Sequence, residues 1–198
     1  MRTLIVFNHP YEGSFCSAIL QSVIQGLKNA SHQVDLMHLD RDGFIPVMSQ
    51  VDLQAFIQHK SVDAQVIDFC QRLRKADHLI FIFLIWWDLM PAMTKGVIDR
   101  VLSPGVAYDH HPRGYGLVPL LNKLQSVTII TTMNKPKLMY TLLIGNLIKK
   151  AMLRSVFRTM GYKKLAWISF TSVKAVIKRT RLTWLNKMEK RFSQQNLK

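Results

Sequence analysis

The sequence predicts an open α/β fold, a five-stranded parallel sheet with helices on both faces. Three observations carry this expectation. Short apolar runs alternate with longer amphipathic stretches along the whole chain. Residues 78–85 are almost wholly apolar, as a central parallel strand covered on both faces requires. The 198 residues suffice for one domain with its own core and not for two, so residues 1–198 are read as a single domain.

The elements follow in order. Residues 3–7 form the first strand. Residues 15–27 carry apolar side chains at 15, 19, 20, 23, 24 and 27, the stripe of an amphipathic helix. Residues 34–39 make the second strand. Residues 52–74 read as helix in two pieces, broken near Lys60 and Ser61. Residues 78–85 are the third strand, and Pro91 opens a helix reaching Leu102, because proline suits a first helical turn. Residues 125–132 form the fourth strand. Residues 136–160 read as one long helix ending at Gly161. Residues 164–170 form the fifth strand and 173–192 the last helix. Open sheets of this kind bind ligands beyond the carboxyl ends of their strands, where strand order reverses. That places the expected site on three loops, at residues 8–15, 84–91 and 131–137.

Composition narrows the function. Hydrophobic residues make up 48% of the chain, which excludes disorder. The longest apolar run without a charge, residues 138–148, has about half the ~20 residues of a spanning helix, and no secretory leader is read at the start. Two cysteines without a C-x-x-C, and seven histidines without an H-x-x-x-H, speak against structural zinc, any metal site or a disulfide framework. Two free thiols suit a reducing, cytoplasmic setting. Cys16 has a nucleophile's chemistry, but the burial habits of cysteine favour a packed residue of the first helix. Residues 1–134 hold 11 basic and 11 acidic side chains; residues 135–198 hold 16 basic ones and a single acid, Glu189. Such a strip attracts anionic surfaces or phosphorylated ligands, or else forms the solvated faces of helices; Lys150, Arg154 and Arg158 would share one such face. Aromatic and basic residues do not interleave as they do in single-strand nucleic-acid binders, so no specific nucleic acid is expected.

The loops carry suitable chemistry. The first, Asn8-His9-Pro10-Tyr11-Glu12-Gly13-Ser14-Phe15-Cys16, runs from a strand into a helix start, a natural phosphate site. Ser14 serves there either as helix cap or as phosphate donor. The loop has neither a G-x-G-x-x-G nor a Walker pattern, which disfavours a dinucleotide Rossmann site or an ATPase. The second loop places Trp86 and Trp87 where a buried strand exits. They form either an aromatic wall beside a planar ring or a core tryptophan next to a surface one.

This second stretch resembles the flavodoxin-like NAD(P)H:quinone oxidoreductase family, the group containing the drug-activity modulators and the ancillary subunits of potassium efflux systems. The resemblance rests on Leu84-Ile85-Trp86-Trp87, Pro91-Ala92, Lys95-Gly96, Asp99-Arg100-Val101 and Gly105-Val106-Ala107-Tyr108. It extends to His9, Pro10, Ser14 and Phe15 in the first loop and to Thr131-Thr132 in the third. It implies a flavodoxin-like sheet in the order 2-1-3-4-5. It also implies that His9, Ser14, Phe15 and Cys16 line the flavin phosphate, and that Leu84, Ile85, Trp86 and Trp87 cradle the isoalloxazine ring. Thr131, Thr132, Met133 and Asn134 would approach its pyrimidine side. Tyr140 stands one residue out of register with the family's catalytic tyrosine. Cys16 replaces an asparagine, Leu84 a proline, and Met133-Asn134 a Gly-Gly pair. Glycines there permit positive φ, which asparagine tolerates better than methionine, so a different loop path is expected.

Two functions follow. In the first, NAD(P)H reduces bound FMN, or alternatively FAD, and a quinone, nitro or azo compound is the small-molecule acceptor; family resemblance adds a homodimer. In the second, the domain is a regulatory or docking module for a partner protein or for an anionic surface met by residues 135–198.

Overall fold

The computed structural model describes residues 1–194. In chain order the elements are β1 (Arg2–Asn8), α1 (Phe15–Asn29), β2 (Gln33–His38), α2 (Gln50–Ile57), α3 (Ala64–Arg74), β3 (His78–Leu84) and α4 (Ala92–Arg100). There follow β4 (Tyr108–His110), β5 (Leu117–Pro119), β6 (Ser126–Thr132), α5 (Lys137–Leu142), a π-helical segment (Lys149–Arg158), β7 (Leu165–Phe170) and α6 (Lys178–Ser193). Five strands pair in parallel in the order β2-β1-β3-β6-β7, which is the expected 2-1-3-4-5 once the small β4–β5 hairpin is set aside.

Strand alternation explains why the central runs are apolar throughout. On one face Leu4, Val6, Leu79, Phe81, Phe83, Val127 and Ile129 pack against α3, α4 and the π-helical segment. On the other, Ile5, Phe7, Ile80, Ile82 and Ile130 meet α1 and α6. Nearly every residue of the central strands β1, β3 and β6 therefore faces a core, which is why these runs are apolar.

Two of the family-type motif residues prove to be scaffold. A Cβ on Gly96 would stand 2.4 Å from the Pro46 Cα, so only glycine lets the loop before α2 lie against α4. Arg100 is buried, and its guanidinium donates to Asp52 at 3.1 Å, to Asp63 at 2.9 Å and to the Ile45 carbonyl at 2.5 Å. Asp52 completes the capping box of α2, and Asp63 caps α3. One buried cation, paired through its terminal guanidinium nitrogens, thus fixes two helix starts against α4.

The structure corrects two of the expected helices and adds a hairpin. The expected long helix over 136–160 is broken, because Gly145 and Asn146 adopt φ of 79° and 62° between α5 and the π-helical segment. Its end at Gly161 holds, with φ of 97°. The last helix begins at Lys178 rather than 173, after a turn in which Ser172 has φ of 54°. The β4–β5 hairpin was not expected; its strands are only three residues each. Residues 195–198, at the end of the basic strip, lie outside the described residues.

His78 is buried on β3 with Nε2 2.9 Å from the Thr128 hydroxyl, and burial, aided by nearby His32, pushes its pKa down to about 4. The unfolded imidazole titrates near ~6.5. Because the fold prefers the neutral ring, its contribution is complete above pH ~6.5 and is lost as pH falls toward 4, at about 1.4 kcal/mol per pH unit. His78→Gln is expected to flatten the decline of unfolding free energy across that window, as measured by urea unfolding at a series of pH values.

Candidate functional site

The first loop is set by its own hydrogen bonds. The Ser14 N–H donates to the Tyr11 carbonyl at 3.1 Å, and the Ser14 hydroxyl accepts the Ser17 N–H at 3.1 Å. Ser14 is thus the helix cap. Helix geometry leaves the N–H groups of Phe15 and Cys16 without an intrahelical acceptor, at the positive end of α1. His9 Nδ1 accepts the Tyr11 N–H at 3.2 Å, which assigns the ring proton to Nε2 and leaves that atom as a donor. Burial lowers the His9 pKa against the opposing charge of Asp40.

Two side chains expected at the phosphate point elsewhere. The Phe15 ring packs in the core between Phe170 and Trp184, at centroid distances of 5.8 and 6.0 Å. Cys16 is buried with Sγ 3.1 Å from the Thr132 hydroxyl, and burial raises its pKa to about 11. It is a packed thiol and not a nucleophile. Both residues can meet a phosphate only through main chain.

The second loop is a tight turn. The Trp86 N–H donates to the Leu89 carbonyl and the Leu89 N–H to the Trp86 carbonyl, each at 3.0 Å. The two central residues, Trp87 and Asp88, take φ of 47° and 65°. Left-handed backbone on a tryptophan is strained by ~1 kcal/mol or more, and such strain concentrates at functional sites. Neither tryptophan is a core residue: Trp86 is 63% and Trp87 89% exposed. Leu84 and Ile85 remain as the apolar floor beneath them.

The third loop is stitched to the other two. The Ile85 N–H donates to the Thr132 carbonyl at 2.9 Å, while the Thr131 hydroxyl accepts the Trp167 indole N–H at 3.0 Å. Met133 is buried, its N–H bonded to the Phe170 carbonyl and its own carbonyl accepting from Val173. No residue from Thr131 to Asn134 has positive φ, so the loop needs no glycine here. The Asn134 side chain accepts the Lys174 N–H at 3.2 Å.

Two residues beyond the expected set complete the site. Lys135 reaches across to Asp88, with Nζ 2.6 and 2.7 Å from the two carboxylate oxygens. Tyr140 is fully buried; its hydroxyl donates to the Asp88 carbonyl and accepts the Ile148 N–H, both at 2.9 Å. Burial, with Asp88 adding to it, raises its pKa. The structure therefore brings Tyr140 beneath the turn and not to the open side of the recess. The Asp88–Lys135 pair was legible only as the single acid of the second loop and the first of two bases, Lys135 and Lys137, in the third.

Leu84, Ile85, Trp86, Trp87, Asp88, Met133, Asn134 and Lys135 enclose a recess of about 340 Å³. It has an apolar floor, an aromatic and charged rim, and turn N–H groups at Trp87 and Asp88. A planar heteroaromatic ring with a polar edge fits that donor set, and a phosphate fits the start of α1. Among the described residues no His, Cys, Asp or Glu cluster suits a metal ion.

Comparison with known proteins agrees with this architecture. Residues 1–192 match a family model described as flavodoxin-like fold, and the chain belongs to that family. It is 31% identical over 135 residues to a ribosyldihydronicotinamide dehydrogenase-like protein of Penicillium crustosum, covering 59% of this chain and 50% of that one. It is 34% identical over 112 residues to an uncharacterized NAD(P)H oxidoreductase of Escherichia coli, covering 56% of this chain and 57% of the other. The chain thus spans about half the length of these curated relatives. A solved structure from Streptococcus mutans superposes with a TM-score of 0.83 at 29% identity, over 98% of this chain and 100% of that one.

Two outcomes are expected. Tyr140→Phe orphans a half-buried carbonyl and a buried N–H, and should cost ~1–3 kcal/mol in urea unfolding; a loss below ~0.5 kcal/mol would remove the tyrosine's bracing role. With both thiols raised to about 11, Cys16 and Cys70 should resist iodoacetamide at pH 8 until the protein unfolds, as read by mass spectrometry.

Proposed function

We propose that the chain is a flavin-dependent NAD(P)H oxidoreductase acting on a quinone, nitro or azo acceptor. The observation that carries this reading is the recess that the second and third loops form at the strand-order switch, with a rim suited to a flat ring, and with the helix start suited to phosphate tied to it through Cys16 and Thr132. In the net reaction NAD(P)H gives up a hydride, solvent supplies a proton, and a quinone becomes a quinol. A bound flavin supplies the two-electron relay.

The chain's own residues hold and shield. The Phe15 and Cys16 N–H groups and His9 Nε2 would bind the phosphate, and Leu84, Ile85 and Met133 would floor the ring. One helix start suits a single phosphate, which favours FMN over FAD. Lys135, fixed by Asp88, sets a positive charge at the rim, where it would complement negative charge near the ring or a phosphate of NAD(P)H. Tyr140, proposed from the family as a catalytic group, serves better as the brace of the Asp88 turn. The homodimer implied by the family is also a proposal. Its natural surface is the shallow apolar depression of about 320 Å³ between Ile98, Leu102, Tyr108, Leu117 and Val156.

The purified protein should be yellow, release FMN on denaturation, bleach with NAD(P)H and recolour with a quinone. A colourless preparation that takes up no added flavin would favour the docking module instead. Ser14→Asp keeps an acceptor at the helix cap but sets a negative charge against the phosphate. It should lower flavin affinity by at least about tenfold, ~1.4 kcal/mol, without lowering the unfolding temperature of the flavin-free protein. Full flavin content in that variant would place the phosphate elsewhere.

A further inference from the structure

The two edges of the sheet are finished differently. At β7 the register settles which way the main chain faces. The Val127 N–H donates to the Lys164 carbonyl, and the Met133 N–H to the Phe170 carbonyl. With Val127 opposite Leu165 and Thr131 opposite Ser169 in a parallel pair, Ala166, Ile168 and Phe170 bond to β6. Leu165, Trp167 and Ser169 then aim their N–H and C=O groups outward. β7 ends the sheet, and among the described residues these outward groups have no partner. The strand reads Leu-Ala-Trp-Ile-Ser-Phe, without a charge or a proline. β2, at the other edge, carries Asp35 gripped by Arg2 and Arg72. An uncharged apolar edge is a template for a further strand unless something covers it.

α6 lies beside this edge without closing it. A Cβ on Gly26 would collide with the Glu189 carbonyl, so α6 leans closely on α1. Its other flank stands off from β7. Trp184 and Met188 of α6, with Ile168 and Phe170 of β7, floor a groove of about 510 Å³. Lys187, Lys190 and Arg191 line it, all three exposed, and no acid does. Phe192 stacks on His78, the first residue of β3, at a centroid distance of 6.3 Å. The last turns of α6 therefore reach the amino edge of the sheet, where exposed Lys163 and Lys164 lead into β7. Glu189, the single acid after residue 135, turns away to α1, where it accepts the Asn29 amide at 3.3 Å. An apolar groove, an unpaired strand edge and unopposed positive charge thus lie side by side.

We propose that the β7 edge receives an extended acidic segment of a partner protein, added to the five-stranded sheet as a further strand. The outward N–H and C=O groups of Leu165, Trp167 and Ser169 pair with its main chain. Every second side chain then falls on the α6 side. Apolar ones fill the groove, and carboxylates meet Lys187, Lys190 and Arg191. A second copy of the chain fits poorly. Two-fold pairing of β7 with itself puts both α6 helices on one face, and each row of cations meets its own image. Nucleic acid answers the charge but neither the strand edge nor the groove floor. The groove shares no lining residue with the recess, so this contact does not depend on bound flavin.

The test uses a fluorescein-labelled peptide, Glu-Glu-Thr-Val-Thr-Val-Thr-Glu-Glu, which as a strand sets both valines and a glutamate at either end on one face. Fluorescence anisotropy with the whole chain, as purified, should show saturable binding below about 1 mM. The same peptide with Gln for every Glu should bind at least about tenfold more weakly, and rising salt, from ~0.1 to ~0.5 M, should weaken the acidic one. Lys187→Gln with Arg191→Gln should cost at least about tenfold in affinity at an unchanged unfolding temperature. Amide exchange, read residue by residue by NMR, separates strand addition from attraction of charge alone. At saturation the Trp167 and Ser169 amides should gain at least about tenfold protection, while that of Ile168, already bonded to β6, is slow throughout. Ser169→Pro removes an outward N–H and leaves the ladder to β6 intact, so it should weaken binding and keep the fold. Four results overturn the proposal: no saturable binding, equal binding of the glutamine peptide, binding without protection of Trp167 and Ser169, or a mass in light scattering that Ser169→Pro halves. The third would make the flank a general anion attractor, nucleic acid included, and the fourth would make the edge a contact between copies.

Discussion

Thr132, the last residue of β6, ties the two loops that line the recess to the start of α1. Its carbonyl accepts the Ile85 N–H of the second loop at 2.9 Å, and its hydroxyl meets the Cys16 thiol, at the start of α1, at 3.1 Å. Ladder bonds fix the strands of a parallel sheet but do nothing for the segments that leave its carboxyl edge. Those segments need ties of their own, and a small residue with both a carbonyl and a hydroxyl can tie in two directions at once. The departure from the family's asparagine at position 16 makes sense here. A compact thiol fits the buried position against Thr132, and a phosphate bound at the helix start would keep its backbone donors.

Above that tie stands the strained turn at Trp87 and Asp88. Its left-handed backbone survives because Lys135 holds the Asp88 side chain and Tyr140 holds the Asp88 carbonyl. Rigid pieces on three sides thus present two tryptophans that the described residues leave largely exposed. Binding a flat ligand here orders little that is not already ordered, which lowers the entropic cost of association.

Much of this was legible from residue pattern. The run 78–85 could only be a strand with a core on both sides, and the three loops fell where strand order reverses. The helix over 136–160 misled because residues 138–148 are apolar and uncharged, which hides the break that Gly145 and Asn146 impose through positive φ. The same run concealed Tyr140, whose burial depends on which way α5 faces and not on its neighbours in sequence. The Phe15 side chain was misplaced for a related reason. Spacing puts a residue in a loop, but packing decides whether its side chain turns to the ligand or to the core. The hairpin of β4 and β5 is too short for any two-residue alternation to register.

The sheltered thiols have a consequence for durability. Redox enzymes that meet oxygen work in the presence of peroxide, which attacks thiolate sulfur first. With pKa values of about 11 and no exposed surface, Cys16 and Cys70 offer almost none. Of the methionines the most open is Met139, which is 46% exposed on the apolar side of α5, ahead of Met1 at 38%. Sulfoxidation there would set a polar oxygen among the exposed leucines of that helix and leave the core untouched, so oxidative wear would fall first on the outer face, at an atom that reductases can restore.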